Sequence, residues 1–264
     1  MSSPTPEMIV KKEAHIGWMT FNNPLRMNAV TLDMWQAIPE IVADFEADPD
    51  IRVIVLTGAG DRAFVAGADI SQFEQNRSSS DSVNAYDEIS GRAFAALAET
   101  RLPTIAMIHG YCIGGGLGIA LSCDIRVAAD HSTFAIPAAK LGLAYPLEGT
   151  HRLVEIVGPS FAKEIFYTAR QFSAEEALHM GLINRSVSAK DLELTIHTMC
   201  AQIAENAPLT MTAEKRIIDE LVKEPGNFDR EKCETLAAEC FSSEDYAEGR
   251  AAFMQKRKPQ FKGR

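Results

Sequence analysis

Short runs of β-branched and other apolar residues alternate with longer stretches of helical period through the first two hundred positions. Residues 9–13 and 15–21 predict two strands joined by a short turn, and residues 51–57 a near-continuous apolar strand. Thr104–Ile108 and residues 182–187 predict further strands, and residues 133–136 a short extended piece. Thr31 is placed to cap a helix running to Ala47, with Asp33 in its first turn. Pro39 lies inside that helix, where a kink or break is expected. A polar loop at 78–82 leads to an amphipathic helix at 83–100. Residues 138–149 read as a loop around Gly142, Tyr145 and Pro146, with helices after it at 151–157, 159–168 and 173–180. Ser173 and Glu176 have capping-box spacing for the last of these. From Asp191 onward every segment is helical, with breaks at Ala207-Pro208 and Pro225-Gly226. Strands alternating with helices, then helices alone, predict an α/β fold built on parallel sheet. The change of pattern predicts a division near residue 200, with 1–200 as the core and 201–264 as a helical region. No internal repeat is visible.

Residues 104–129 organise the chain: strand, turn, the glycines Gly114, Gly115 and Gly116, a buried helix, strand. Glycines there let backbone approach a neighbour closely. Two readings are open. The glycines pack a helix against a strand, or free N–H groups at the helix start face outward and stabilise a negative charge.

Composition narrows the class. The chain has 264 residues, 46% of them hydrophobic, enough for one large domain with a real core. A net charge of −10 argues against nucleic-acid binding, which needs a basic face. Cys112, Cys123, Cys200, Cys233 and Cys240 form no CxxC pair and no metal-ligand spacing, which predicts reduced thiols, no metal site and a cytoplasmic protein. No apolar run is long enough to span a membrane, and the N-terminus lacks a signal-peptide layout. G-A-G-D-R-A at 58–63 comes after a strand and imitates a dinucleotide fingerprint, but residues 63–70 carry no helical stripe. Residues 256–264 hold five basic side chains and no acidic one, either a solvated tail or a contact for a small polyanion.

Taken together, several motifs resemble the enoyl-CoA hydratase/isomerase (crotonase) superfamily. They are N-x-P-x-x-x-N-A (22–29), A-F-V-A-G-A-D-I (63–70), G-Y-C-I-G-G-G (110–116), C-D-I-R-V-A (123–128), A-E-E-A-L-x-M-G-L-I-N (174–184) and F-x-x-K-R-K-P-x-F (253–261). The resemblance implies a spiral of ββα units with a C-terminal all-helical trimerisation region, and hence a homo-oligomer, a trimer or dimer of trimers. It also implies acyl-CoA thioester chemistry through a stabilised enolate, with coenzyme A as part of the substrate and no other cofactor. By motif match the oxyanion hole falls to the backbone N–H groups of Ala68 and Gly115. Coenzyme A contacts fall to the backbone of Leu25, Arg26, Ala66, Ala68 and Ile70, and to Phe253 and Lys256, which in the family often serve a neighbouring subunit.

The chain departs from the pattern at two positions. Where the family's hydratases keep two glutamates on either side of one water, this sequence has Gly118 and Ala138. Near the thioester the polar candidates are Tyr145 and Glu148. The segment around Tyr145 is similar to that of methylmalonyl-CoA decarboxylases in the same superfamily. Loss of CO₂ needs an enolate hole and a neutral donor rather than a base, and a phenol of ordinary pKa about 10 is such a donor. Tyr145 reads equally as a packed aromatic. Glu148 reads either as a relocated acid/base, supporting isomerisation or hydration, or as a surface carboxylate. A non-catalytic acyl-CoA-binding relative is the alternative from another class.

Overall fold

The computed structural model describes residues 3–69, 80–223 and 226–264, with the side chains of 80–84 not described. Two sheets make up the core. The larger runs in the order β1 (Met8–Glu13), β2 (Ile16–Phe21), β3 (Val53–Gly58), β5 (Thr104–Ile108), β7 (Ile125–Ala129), β10 (Arg185–Val187). The smaller runs β4 (Ala63–Val65), β6 (Tyr111–Ile113), β8 (Thr133–Ala135), β9 (Phe172–Ser173). Among the described strands the β1–β2 and β8–β9 pairs are antiparallel and the others parallel.

The chain visits the sheets alternately: β3, β5 and β7 pair in parallel in one, and β4, β6 and β8 come after them in parallel in the other. Each strand pair thus adds one turn of a spiral, closed by α2 (Ser80–Glu99) after β4 and α3 (Gly115–Leu121) after β6. A structural repeat exists where the sequence shows none, because parallel pairing recurs through backbone hydrogen bonds and needs only an apolar strand, not a fixed residue.

The larger sheet is covered on both faces, which is why β3 reads as an unbroken apolar run. Ile54 and Leu56 face one cluster with Trp35, Ile38 and Phe45 of α1 (Leu32–Ala47). Val53 and Val55 face the other, with Leu192, Ile196 and Cys200 of α6 (Leu192–Ala204). The division expected near residue 200 therefore falls inside a helix packed on the sheet. Three further helices come after it, α7 (Pro208–Leu221), α8 (Arg230–Ser242) and α9 (Glu244–Gln255), and α7 is tied back to the core through Lys215, which pairs with Asp124.

Three local expectations need correction. α1 is one uninterrupted helix through Pro39, because Met34, Trp35 and Ile38 before it and Ile41, Val42 and Phe45 after it are all buried on one face. That shared burial outweighs the lost hydrogen bond to the Trp35 carbonyl, a cost of about 3 kcal/mol. The helices expected at 151–157 and 159–168 meet at Gly158 (φ 74°) within α4 (Leu147–Thr168), which starts four residues early. Glu148 in its first turn suits the positive end of the helix, and Thr150 N–H donates to the Pro146 carbonyl at 2.9 Å. Residues 80–82 belong to α2 rather than to a loop, and 78–79 lie outside the described residues. The caps at Thr31 and at Ser173, which opens α5 (Ala174–His179), form as expected.

Candidate active site

Each of the three glycines has its own reason. Gly114 takes φ 54°, a conformation that a side chain disfavours. Gly116 lies so close to β4 that a Cβ would stand 2.1 Å from the Val65 carbonyl oxygen. Gly115 is the first residue of α3, so its N–H has no acceptor within the helix. A Cβ on Gly115 would lie 3.8 Å from the Ala68 nitrogen, which brings these two amides side by side.

Ala68 is held by a single parallel bridge to Val30. Val30 N–H donates to Gly67 O (2.9 Å) and Asp69 N–H donates to Val30 O (3.0 Å), so both ladder bonds belong to its neighbours. The N–H of Ala68 points the other way and meets no acceptor among the described residues. Asn28, buried and itself at φ 56°, anchors the approach to this loop. Its Nδ2 donates to the carbonyls of Ala59 (3.0 Å) and Ala63 (2.7 Å), and its Oδ1 accepts from Asn23 N–H (3.1 Å).

Gly115, Ala68 and Ala66 line a cavity of about 210 Å³. Its walls are largely apolar, with Trp35, Phe94, Ile136 and Leu143 among them. Trp35 Nε1 donates to Tyr86 Oη at 2.8 Å, and its ring meets Phe94 edge-on at 5.1 Å between centroids. Gly118 and Ala138 both face this space.

Tyr145 decides the shape of the site. A Cβ on Gly118 would stand 2.8 Å from the Tyr145 hydroxyl oxygen, and one on Gly149 would stand 2.6 Å from Cε1 of the same ring. The ring is thus seated between two glycines and tilted against Phe166 at 5.6 Å. Its hydroxyl donates to the Gly114 carbonyl at 3.3 Å, beside the glycine run. Burial pushes the phenol above its usual pKa, so it stays protonated and can only donate to a developing anion. Glu148 lines the same cavity but is solvent-exposed and pairs with no described residue.

The fold agrees with what comparison with known proteins gives. Residues 11–264 match the family model described as enoyl-CoA hydratase/isomerase. The chain belongs to the enoyl-CoA hydratase/isomerase family. It is 33% identical to the short-chain-enoyl-CoA hydratase of Clostridium acetobutylicum, with 97% of this chain and 98% of that protein covered. It is 34% identical to the carnitinyl-CoA dehydratase of Salmonella arizonae, covering 93% and 94%. An enoyl-CoA hydratase/carnithine racemase structure from Magnetospirillum magneticum superposes with a TM-score of 0.94 at 33% identity, over 98% of this chain and 97% of that one.

The remaining positions that the family motifs pick out divide into those near the cavity and those away from it. Leu25 and Arg26 lie in a 3-10 turn, Pro24–Arg26, that adjoins the Ala68 loop: Met27 O accepts from Ala66 N–H at 3.0 Å, and Arg26 pairs with Asp69 at 2.7 Å. Leu25 is 96% exposed, an apolar side chain left at the surface beside the cavity loop. Ile70 lies outside the described residues. Phe253 and Lys256 do not line this chain's cavity; Phe253 lines a separate apolar groove between α7, α8 and α9, and Lys256 caps the end of α9. The basic tail is largely occupied: Arg257 holds Glu248 through two bonds (2.6 and 2.8 Å), Lys258 pairs with Glu205 and Arg264 with Glu244.

The G-A-G-D-R-A turn runs straight into β4, so the helix start that a dinucleotide would need is missing there. Asp124 is structural, accepting from Thr104 N–H and Oγ1 and pairing with Lys215 at 3.0 Å. Sequence reasoning missed Gly149, Phe94 and Arg152. Phe94 was visible only as one apolar position on an amphipathic helix, and Gly149 and Arg152 carried no signal of their own.

Proposed function

We propose that this chain acts on acyl-CoA thioesters by holding a thioester enolate oxygen between the N–H groups of Ala68 and Gly115. Two preorganised donors aimed at one developing oxyanion account for several kcal/mol of barrier lowering. Leu25, Arg26, Ala66, Ala68 and Ile70 serve the coenzyme A portion, which enters as part of the substrate, with no further cofactor or metal.

Within that chemistry the residues favour decarboxylation of a small 2-carboxyacyl-CoA. The C2–carboxylate bond breaks, its electron pair enters the enolate, CO₂ leaves, and C2 takes a proton that ultimately comes from solvent. No step needs a base. The observation that supports this reading is the Tyr145 hydroxyl in the space beside Gly118, where a neutral donor replaces an acid. A second reading, isomerisation or hydration with Glu148 as acid/base, is favoured by that carboxylate lining the cavity unpaired among the described residues. It also matches the hydratase and dehydratase names of the relatives.

Incubation with crotonyl-, 3-enoyl- and methylmalonyl-CoA, each followed by mass, separates the readings. Loss of 44 mass units from methylmalonyl-CoA alone is the expected result, that figure being roughly the mass of the CO₂ released by the mechanism of enolate formation described. Turnover of crotonyl-CoA at an ordinary hydratase rate overturns the decarboxylase reading. Binding of all three without turnover favours a non-catalytic acyl-CoA binder.

The same family reading makes the chain a homo-oligomer, a trimer or a dimer of trimers, with Phe253 and Lys256 reaching a neighbour's cavity. Support comes from the apolar groove of α7–α9, where Phe241 and Phe253 are largely exposed in the single chain. Light scattering is expected to give three or six times the 28.9 kDa protomer mass; a monomer removes this assignment. Among the described residues no helix is long and apolar enough to cross a membrane.

A further inference from the structure

The cavity wall carries one basic side chain among the described residues, Arg152. It stands one turn after Glu148 on α4, half-buried, and lines both the cavity and a charged groove formed with α7 and α8. The other lysines and arginines of that groove are occupied. Lys223 and Lys232 both hold Glu220, at 2.7 and 2.6 Å, and Arg216 donates to the Glu99 carbonyl. Arg152 makes no hydrogen bond or ion pair with any described residue, Glu148 included. Asp219 of α7 shares the groove and feels the Arg152 charge only at a distance, without pairing to it. Burial raises the pKa of that carboxyl, which makes it a weaker counter-ion.

A guanidinium half withdrawn from water and without an acceptor among the described residues has a defined complement. Its planar fork matches a carboxylate through two parallel hydrogen bonds. The cavity is lined largely by apolar side chains, Trp35, Phe94, Leu143 and the Tyr145 ring among them, with Asp87, Ser90 and Glu148 as polar members beside Arg152. An acyl chain lying along the apolar side chains of this cavity can reach Arg152, the positive charge on a wall whose carboxylates are Asp87 and Glu148.

We propose that the acyl cavity ends in a carboxylate subsite at Arg152, so that the enzyme takes dicarboxylic acyl groups thioesterified at one end. This rests on the proposal above only in placing the acyl part of the substrate in this cavity.

The test is equilibrium binding, by calorimetry on the full chain, of saturated thioesters that cannot form product. Succinyl-, glutaryl- and adipyl-CoA are compared with butyryl-, pentanoyl- and hexanoyl-CoA, so that each pair differs only by carboxylate for methyl. At one length or more the dicarboxylic member is expected to bind about tenfold to a hundredfold tighter, the range for a charge-assisted hydrogen bond. Arg152→Met should abolish that preference while leaving the monocarboxylic affinities unchanged, and Arg152→Lys should retain part of it. Equal binding within every pair by the wild-type chain overturns the proposal without need of a variant. So does an Arg152→Met chain that weakens both members of each pair equally, since that is the mark of a structural role. A chain that prefers the dicarboxylic thioesters yet releases no CO₂ from methylmalonyl-CoA keeps the subsite and loses the decarboxylase reading; the opposite pattern keeps the reaction and loses the subsite.

Discussion

Tyr145→Phe is expected to lower turnover by about 10²–10³, the usual loss when one donor to a developing negative charge is removed. Stability should fall by no more than about 1 kcal/mol, because the only partner of the hydroxyl among the described residues is the Gly114 carbonyl at 3.3 Å, a long bond. The phenylalanine ring keeps its seat between Gly118 and Gly149 and against Phe166. Rate and melting temperature therefore separate, which a packing role alone would not produce. Burial raises the phenol pKa, so deprotonation belongs above the ordinary value of about 10. The wild-type rate should then show no alkaline limb from this group below that pH. A Tyr145→Phe chain with full activity removes the hydroxyl from the mechanism.

Gly118→Glu is the second large effect, and it runs against intuition. Placing an acid at the position that the family resemblance assigns to one is expected to destabilise the chain without creating a hydratase. The new Cβ would stand 2.8 Å from the Tyr145 hydroxyl oxygen and 3.1 Å from Phe94 Cζ. Tyr145 has little room to yield, because Gly149 is already pressed on its far edge. Overpacking of this kind costs roughly 1–3 kcal/mol, and a carboxylate placed in an apolar wall adds to it. The double variant Gly118→Glu/Tyr145→Ala should melt higher than Gly118→Glu alone, a non-additivity expected of residues in direct contact. Thermal melts and a crotonyl-CoA assay on the three chains decide it. A stable Gly118→Glu chain that hydrates crotonyl-CoA would mean that Tyr145 moves freely and is not the occupant of this position.

These two results bear on one exchange. Family membership does not by itself fix the chemistry, since chemistry depends on which groups face the enolate. Here Gly118 and Ala138 both line the cavity, and the Tyr145 hydroxyl comes up to Gly118 from a different element, the turn before α4. Arg152, one helical turn beyond Glu148, then gives the same cavity a cation at its apolar wall.

The sequence by itself determined most of the architecture. Apolar runs such as β3 and β5 had to be buried on both faces, and the alternation of strand with helix required parallel pairing. Caps at Thr31 and Ser173 were legible because each rests on a local hydrogen bond between residues three apart. The glycine run was legible as a site of close approach, and the family resemblance rather than any local pattern pointed to Ala68, whose nitrogen lies 3.8 Å from a Cβ built on Gly115. Tertiary structure alone decided the rest. That α1 continues through Pro39 depends on what its two halves bury, which no local propensity encodes. That α6 belongs to the core depends on Leu192, Ile196 and Cys200 meeting strands far back in the chain. Gly118 reads in sequence as a missing acid, and only the fold shows that Tyr145, 27 positions later, needs that space. Arg152 was unreadable for the same reason: whether a charge is paired depends on which distant side chains surround it, and that is a property of packing rather than of sequence pattern.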